Sequence, residues 1–314
     1  MEYIQTRTVK KHKINDPPGK LITNIGGYII YDKDVDIYDE DSHKLVAKFR
    51  KKKISNISSI LKFNKNILPL AKRKKENRGS AAGLIERAKL RESVGDLYDT
   101  KSYRTGYFVK STGKKSNTKI CNIAKSNVLG YIDLAPRNTG RTEKVNLSAY
   151  ARDYPQRYED CLPFITDIDE AFKEVSADHH ERQYKMVDHK YRMADTSFST
   201  MTVNYSWQSA LHKDANNGQE CYSCITVIRD RDNKNNYSAG YLLFPEYRIG
   251  FNIREGDLLI SDTVDNYHCN SPLIPTSEDV HGKWSEQDKI NNWHLNRISV
   301  VCYIKKSCMK QLEF

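Results

Sequence analysis

The last third of this 314-residue chain is written in short segments that read as strands, and polar pairs stand at their ends. Ser199-Thr200-Met201-Thr202-Val203-Asn204 is β-branched, and Arg248 to Ile253 alternates. Glu255-Gly256-Asp257 has the makings of a tight turn, Leu258-Leu259-Ile260-Ser261 begins another strand, and Ile298 to Ile304 is a final apolar one. His212-Lys213-Asp214 follows the first of these, His268 follows the Leu258 segment, and Arg297-Ile298-Ser299 opens the last. On an extended segment residues i and i+2 point to the same face, so His212 and Asp214 can reach one metal ion, and Arg297 and Ser299 one ligand.

Two imidazoles and one carboxylate can occupy one face of Fe(II), leaving two positions for a chelating keto acid and one for dioxygen. A guanidinium fits the far carboxylate of such a keto acid by a forked pair of charge-assisted hydrogen bonds. The set His212, Asp214, His268, Arg297 and Ser299 therefore points to Fe(II), 2-oxoglutarate and O2, with ascorbate as an accessory reductant. His12, His43, His179, His180 and His189 lie in basic, polar or helical stretches and read as ordinary side chains. The polar stretch Thr276 to Leu295, with Trp284 and Trp293, reads as a surface loop inserted before Arg297.

Charge is divided unevenly along the chain. Residues 1–125 hold 29 Lys and Arg against 13 Asp and Glu, whereas residues 126–314 hold 22 against 27. A basic front half joined to a mildly acidic site-bearing half suits a protein that grips phosphate with one part and does chemistry with the other. The clusters Arg50-Lys51-Lys52-Lys53, Lys72-Arg73-Lys74-Lys75 and Lys114-Lys115 are the candidate grips, which makes nucleic acid, DNA first, the expected partner. The sequence has no run of about 18 apolar residues, so no membrane span is expected, and the polar start does not read as a signal peptide. Seven cysteines, an odd number, read as free thiols in an intracellular reducing compartment, with the nucleus or a virus- or phage-infected cell as the setting. Cys221-x-x-Cys224 lacks a second pair and reads as buried strand thiols.

The organisation expected is a flexible arm over 1–19, a basic region over 20–135 packed on the core, and the core itself over 136–314. Strands near 21–31 and 43–50 should form a hairpin, with Asp32, Asp34 and Asp36 in a solvated turn between them. Residues 54–80 are basic and rich in Asn, and read as loop with short structured pieces. From Tyr154 to Val175 apolar residues recur at three and four positions, an amphipathic helix with a break expected at Pro163; residues 177–186 continue as another. Helices before strands give an α+β class: a double-stranded β-helix (jelly roll, cupin-like) core with flanking helices and a basic N-terminal extension.

The runs Thr202-Val203-Asn204-Tyr205-Ser206-Trp207 through Ala210-Leu211-His212-Lys213-Asp214, and Gly240 to Tyr247 with Gly256-Asp257, resemble the oxygenase domain of the TET/J-binding-protein family. Gly26 to Asp32, Lys44 to Arg50 and Asn77-Arg78-Gly79-Ser80-Ala81-Ala82-Gly83 resemble stretches of its smaller viral, algal and fungal members, so the likeness runs from about residue 20 to about 306. It departs at Lys213, at Asn216-Asn217 and in the long loop before Arg297. The resemblance implies a dioxygenase that hydroxylates the 5-methyl group of 5-methylcytosine or thymine, with His212, Asp214 and His268 on iron and Arg297 on 2-oxoglutarate. A base drawn out of a duplex must be held by stacking and by its hydrogen-bonding edge, and Asn204, Tyr205 and Trp207, close to the iron motif, are the candidates. Two rival readings use the same residues: a 2-oxoglutarate-dependent hydroxylase of a peptide or small molecule, and a catalytically silent nucleic-acid-binding module.

Overall fold

The computed structural model describes residues 4–75, 78–86, 104–108, 114–133, 145–278, 280–285, 288–289 and 291–310. Two sheets face each other. The larger has nine strands in the order β1 (Gln5–Val9), β3 (Val35–Asp39), β4 (Leu45–Arg50), β15 (Leu258–Ser261), β11 (Ser223–Arg229), β18 (Arg297–Tyr303), β10 (Thr200–Tyr205), β8 (Ser126–Asp133) and β9 (Val145–Leu147). The smaller runs β16 (Cys269–Asn270), β13 (Leu242–Phe244), β14 (Ile249–Phe251) and β2 (Ile29–Tyr31). A three-stranded sheet, β5 (Leu84–Glu86), β7 (Lys115–Asn122) and β6 (Arg104–Phe108), and the pair β12 (Tyr237–Ala239) with β17 (Leu273–Pro275) complete the set among the described residues.

Alternation along the central strands builds the layers. Met201, Val203 and Tyr205 of β10, Ile298, Val300 and Cys302 of β18, and Cys224 and Ile228 of β11 all face one core, shared with α1 (Ile57–Ala71) and α3 (Pro155–Val175). The residues between them face the other way. Ile225 and Val227 of β11 join Leu242, Phe244, Ile249 and Phe251 of the smaller sheet in a second core, while Thr202, Asn204, Arg297, Ser299, Val301 and Tyr303 line a cavity. Helices thus cover one face of the large sheet and the small sheet covers the other, the double-stranded β-helix expected from the sequence.

Four local expectations need correction or sharpening. Residues 54–80 contain a full helix, α1, rather than loop with short pieces. Asn56 caps it by accepting from the Ser59 amide at 3.3 Å, and Ile60, Phe63, Ile67, Leu70 and Ala71 form its buried stripe. Lys62, Lys65 and Asn66 away from the buried face hid that stripe, and Pro69 falls in the last turn. The second helix does not break at Pro163: α3 is continuous from Pro155 to Val175, because Tyr158, Cys161, Phe164, Ile165, Ile168 and Phe172 bury along it and outweigh the cost of a proline, about 3 kcal/mol. It is preceded by the short α2 (Ala149–Asp153) and followed by α4 (Ala177–Met186). The hairpin is β3–β4 rather than 21–31 with 43–50, while β2 pairs in parallel with β14 in the other sheet. Asp36 accordingly lies in a strand, paired with Arg50 at 2.7 Å and Lys48 at 3.4 Å, and not in a solvated turn.

Residues 5–9, read from the sequence as part of an arm, form β1 along β3. All seven cysteines are buried, outside any disulfide among the described residues. No helix among the described residues is long and apolar enough to cross a membrane.

Helix α1 is joined to the rest by Phe63, fully buried with its ring centre 4.5 Å from that of Phe164. Phe63→Ala should cost about 3–5 kcal/mol, the usual loss for a buried aromatic, measured by urea unfolding. A loss under about 1 kcal/mol would mean that α1 is not part of the cooperative core.

Candidate metal centre and its buried arginine

His212 and His268 sit directly opposite each other on neighbouring extended segments. Each amide donates to the other's carbonyl, at 3.1 and 3.0 Å, and the ring centres are 4.2 Å apart. Such a pair puts both side chains on the same face of the ladder. The ring Nδ1 of His212 lies 2.7 Å from the Ala210 carbonyl and that of His268 3.3 Å from the Asn266 carbonyl. A carbonyl can only accept, so each Nδ1 carries the proton and each Nε2 keeps a free lone pair, the tautomer that binds metals. Asp214 is brought in by its amide, which donates to the Thr263 carbonyl at 2.9 Å. Its two oxygens stand 3.7 Å from the two Nε2 atoms. That is too long for a hydrogen bond, and the three ligand atoms lie within 4.8 Å of one another, close enough to share one ion.

The electrostatics suit a cation there. Burial, and then the neighbouring His268, push the His212 imidazole down to about 4. Burial opposes the charge on Asp214, but the two imidazoles and the Thr263 hydroxyl outweigh it and hold the carboxyl below its usual range. At neutral pH His212 is therefore neutral and Asp214 ionised, the protonation states that ligation needs.

Deeper in the same cavity, which measures about 100 Å³, is Arg297. It is 2% exposed, meets no carboxylate among the described residues, and its Nε has no hydrogen-bond partner. Burial lowers its pKa, with Tyr237 as the neighbour that opposes the shift. Ser299 lies beside it on the same face of β18 and accepts from Asn204 Nδ2 at 3.2 Å. A second guanidinium enters from the front half of the chain: Arg78, at the start of the 3-10 turn Gly79–Ala82, lines the cavity over the Trp207 ring, and its Nε is likewise without a partner. Among the described residues Asp214 is the sole carboxylate of the lining. Arg297 is buried with no carboxylate opposite it, which is expensive, and the half-buried Arg78 adds a second positive charge to the same lining, so the cavity suits an anion.

The predicted residues fall into two groups. His212, Asp214, His268, Arg297, Ser299, Asn204 and Trp207 all line the cavity; Tyr205 does not. It occupies the odd face of β10, buried among the helices with its hydroxyl donating to Asp230 at 2.7 Å, because neighbours on a strand point to opposite sides. Arg78 was visible in the sequence only as part of the Asn77–Gly83 stretch. Ser209 and Asn270, which hydrogen-bond to each other at 2.8 Å, carry no pattern that would have found them.

The family model for Tet_JBP, the oxygenase domain of the 2OGFeDO superfamily, matches residues 129–306, and the chain belongs to that family. It is 26% identical over 183 residues to the bifunctional helicase and thymine dioxygenase JBP2 of Trypanosoma brucei brucei, covering 58% of this chain and 15% of that protein. To the thymine dioxygenase JBP1 of Crithidia fasciculata it is 28% identical over 156 residues, 49% of this chain and 18% of the other. The chain thus spans less than a fifth of the length of these curated relatives. A solved structure of NgTET1 in complex with 5mC DNA aligns with 99% of this chain and 85% of its own, at 10% identity and a TM-score of 0.48.

The superfamily works with Fe(II), 2-oxoglutarate and O2. The residues present fit both groups: two free imidazole lone pairs and a carboxylate for the ion, and a buried guanidinium with an unpartnered Nε, and no carboxylate opposite it among the described residues, beside a hydroxyl for the keto acid.

The His212 shift has a consequence for the metal-free protein. Its imidazole ionises near 6.5 when free of the fold and near 4 within it, so between those values the unfolded state holds the extra proton. This contribution to stability is present above pH 6.5 and is lost as the pH falls toward 4. The urea midpoint of chelator-treated protein should decline over that window, and His212→Asn should flatten the decline. An identical pH dependence in the variant would show that His212 titrates normally.

Proposed function

We propose that the chain is an Fe(II)- and 2-oxoglutarate-dependent dioxygenase that hydroxylates the 5-methyl group of a pyrimidine base, thymine or 5-methylcytosine, in DNA. The observation that carries this reading is the convergence of three metal-competent donors on a cavity whose far end holds an unpaired, buried arginine. Family membership supports the oxygenase class, and the description of the relatives as thymine dioxygenases supports the base.

His212, Asp214 and His268 would hold the iron, and the backbone ladder between the histidines fixes their spacing before any ion arrives. Arg297 and Ser299 would take the far carboxylate of 2-oxoglutarate. Asn204 donates to the Ser299 oxygen and so leaves that hydroxyl's own proton free for the ligand. Arg78 supplies a second positive charge to the same dianion. When bound, the metal and keto acid supply the oxidising chemistry, which turns a methyl C–H into an alcohol with release of succinate and CO2. Trp207 offers a face to the base, and Asn204, Ser209 and Asn270 offer polar groups to its edge. In this reading residues 136–314 carry the iron site and residues 20–135 grip the nucleic acid, with the segment 1–19 ahead of them. The front region also lends Arg78 to the cavity.

The test is mass spectrometry of nucleosides from DNA containing thymine and 5-methylcytosine, after incubation with the protein, Fe(II), 2-oxoglutarate and ascorbate. A hydroxylated product on one base, absent in His212→Ala and Asp214→Ala, is expected. Succinate release with every base unchanged would transfer the site to another substrate class. Arg297→Ala should raise the 2-oxoglutarate requirement by about 10- to 100-fold, the loss of charge-assisted hydrogen bonds of roughly 1.5–3 kcal/mol. An unchanged requirement would move the carboxylate anchor elsewhere, with Arg78 the next to test.

A further inference from the structure

On the helix side of the large sheet, away from the cavity, three lysines from two segments converge on two aromatic rings. Lys72 and Lys74 follow α1, and Lys125 stands at the entrance of β8. The two segments are tied together: Lys75 and Ala124 exchange backbone hydrogen bonds of 2.6 and 3.1 Å, and Asn127 Nδ2 donates to the carbonyls of Leu70 and Arg73 at 2.9 and 2.8 Å. Lys125 Nζ lies 4.6 Å from the ring centre of Trp293 and 5.4 Å from that of Tyr205. Lys74 shares the Trp293 ring at 5.2 Å, and Lys72 shares the Tyr205 ring at 5.4 Å.

The charges are unevenly compensated. Lys72 meets the buried carboxylate of Asp230 at 2.7 Å. Lys74 meets no carboxylate among the described residues. The Lys125 side chain is only 10% exposed, and its acidic partner among the described residues is Asp288, 4.0 Å away. Burial pushes the Lys125 ammonium down to about 8, with Asp288 opposing and Lys74 and Lys72 adding to the effect. Asp288 belongs to the loop inserted before Arg297 and is itself engaged by the Ser285 hydroxyl at 2.7 Å. Its reach toward Lys125 is at the outer limit of an ion pair. The rings attract the ammonium groups, but a ring does not neutralise a charge. Like charges gathered on a half-dry floor stand in need of an anion that can face several of them at once.

We propose that Lys72, Lys74 and Lys125, on the rings of Tyr205 and Trp293, form a seat for a backbone phosphate of the nucleic-acid substrate, and that Asp288 is the acidic group this phosphate displaces. The proposal rests on the reading of nucleic acid as substrate. A phosphodiester suits the seat because its charge is spread over oxygens that several ammonium groups can share, and because the front half of the chain carries the positive excess. The seat is also mechanically joined to the cavity. Ser126, next to Lys125, pairs with Asn204, whose side chain lines the cavity, and Trp293 lies on the same short run as Arg297. A phosphate held here would fix the strand relative to the iron site.

The experiment is fluorescence anisotropy of the full chain with a labelled DNA duplex across a salt series, for the wild type and for Lys74→Ala, Lys125→Met and Asp288→Asn. Each lysine variant should bind more weakly and lower the slope of log K against log salt, by no more than about 0.9, the value for loss of the whole phosphate contact. Asp288→Asn should tighten binding several-fold. Inorganic phosphate, added at constant ionic strength, should compete less well against Lys125→Met than against wild type. Unchanged slopes in both lysine variants, or weaker binding by Asp288→Asn, would overturn the seat. Lys74 and Asp288 lie toward the surface, so their variants keep the test decisive if Lys125→Met does not fold. The two readings separate on the wild type: if it oxidises DNA while the variants keep the full slope, only the seat fails; if it neither binds nor oxidises DNA, the function fails with it.

Discussion

The register between β10 and β18 is the constraint on which the rest of this structure depends. Asn204 is paired with Ser299 and Val203 with Val300, so polar residues fall together on one face and apolar ones on the other. A strand has a period of two, and a slip by one residue would turn Arg297 and Ser299 into the helix-packed core and expose Ile298 and Val300 to the cavity. Burying a guanidinium among Phe63, Phe164 and Ile168 would cost far more than the ladder gains. The helices therefore do more than cover the sheet. By demanding an apolar surface they choose the register, and the register delivers the arginine to the site.

The site itself is organised by backbone rather than by side-chain contacts. The ladder between His212 and His268 sets the distance between the two rings, and carbonyls two residues back set which nitrogen is free. Further out, Glu246 accepts from the Tyr267 amide at 2.8 Å and meets Lys11 at 3.6 Å, and Lys11 also donates to Asn266 at 3.0 Å. The chain ahead of β2 is thus laced to the turn that carries His268. Held this way, the donors need little rearrangement when an ion binds, which is the usual requirement for a precise metal site.

What could be read in the sequence was whatever obeys a short period. The i, i+2 pairs His212/Asp214 and Arg297/Ser299 were legible because a strand places both members on one face, and α3 was legible because its apolar residues recur at helical spacing. Helix α1 obeys the same rule, but Lys62, Lys65 and Asn66 interleave its stripe and Pro69 suggests an early end. Tyr205 was misplaced for the opposite reason. Closeness to His212 in sequence counted for more than the alternation that sends it away from the cavity. Arg78 lies 134 positions before His212 in sequence, and only the tertiary path through the Gly79–Ala82 turn brings it near. No local pattern contains that information. Hairpin partners were also beyond reach, since β2 and β4 look alike as isolated strands and are separated by which sheet has a free edge.

The protein carries its cations in two different ways, and the difference bears on how it is held together. Several surface lysines pair with acids, as Lys62 does with Asp160 and Lys185 with Glu181, and contribute little either way. Arg297 in the cavity is different: it is withdrawn from water with its Nε lacking a hydrogen-bond partner, and Arg78, half-buried, lines the same cavity. Burying Arg297 lowers the stability of the empty fold, and that loss is recovered when an anion binds, because a ligand that binds only the folded state stabilises it in proportion to the logarithm of its saturation, about 2.7 kcal/mol at a hundredfold excess over Kd. A dianion that satisfies both guanidinium groups recovers more than one that reaches a single group. The empty cavity is therefore tuned to discriminate by charge and length before any chemistry occurs. A monocarboxylate keto acid would leave the buried Arg297 guanidinium without a counter-charge, and the cost of that unpaired charge, rather than any clash, is what would exclude it.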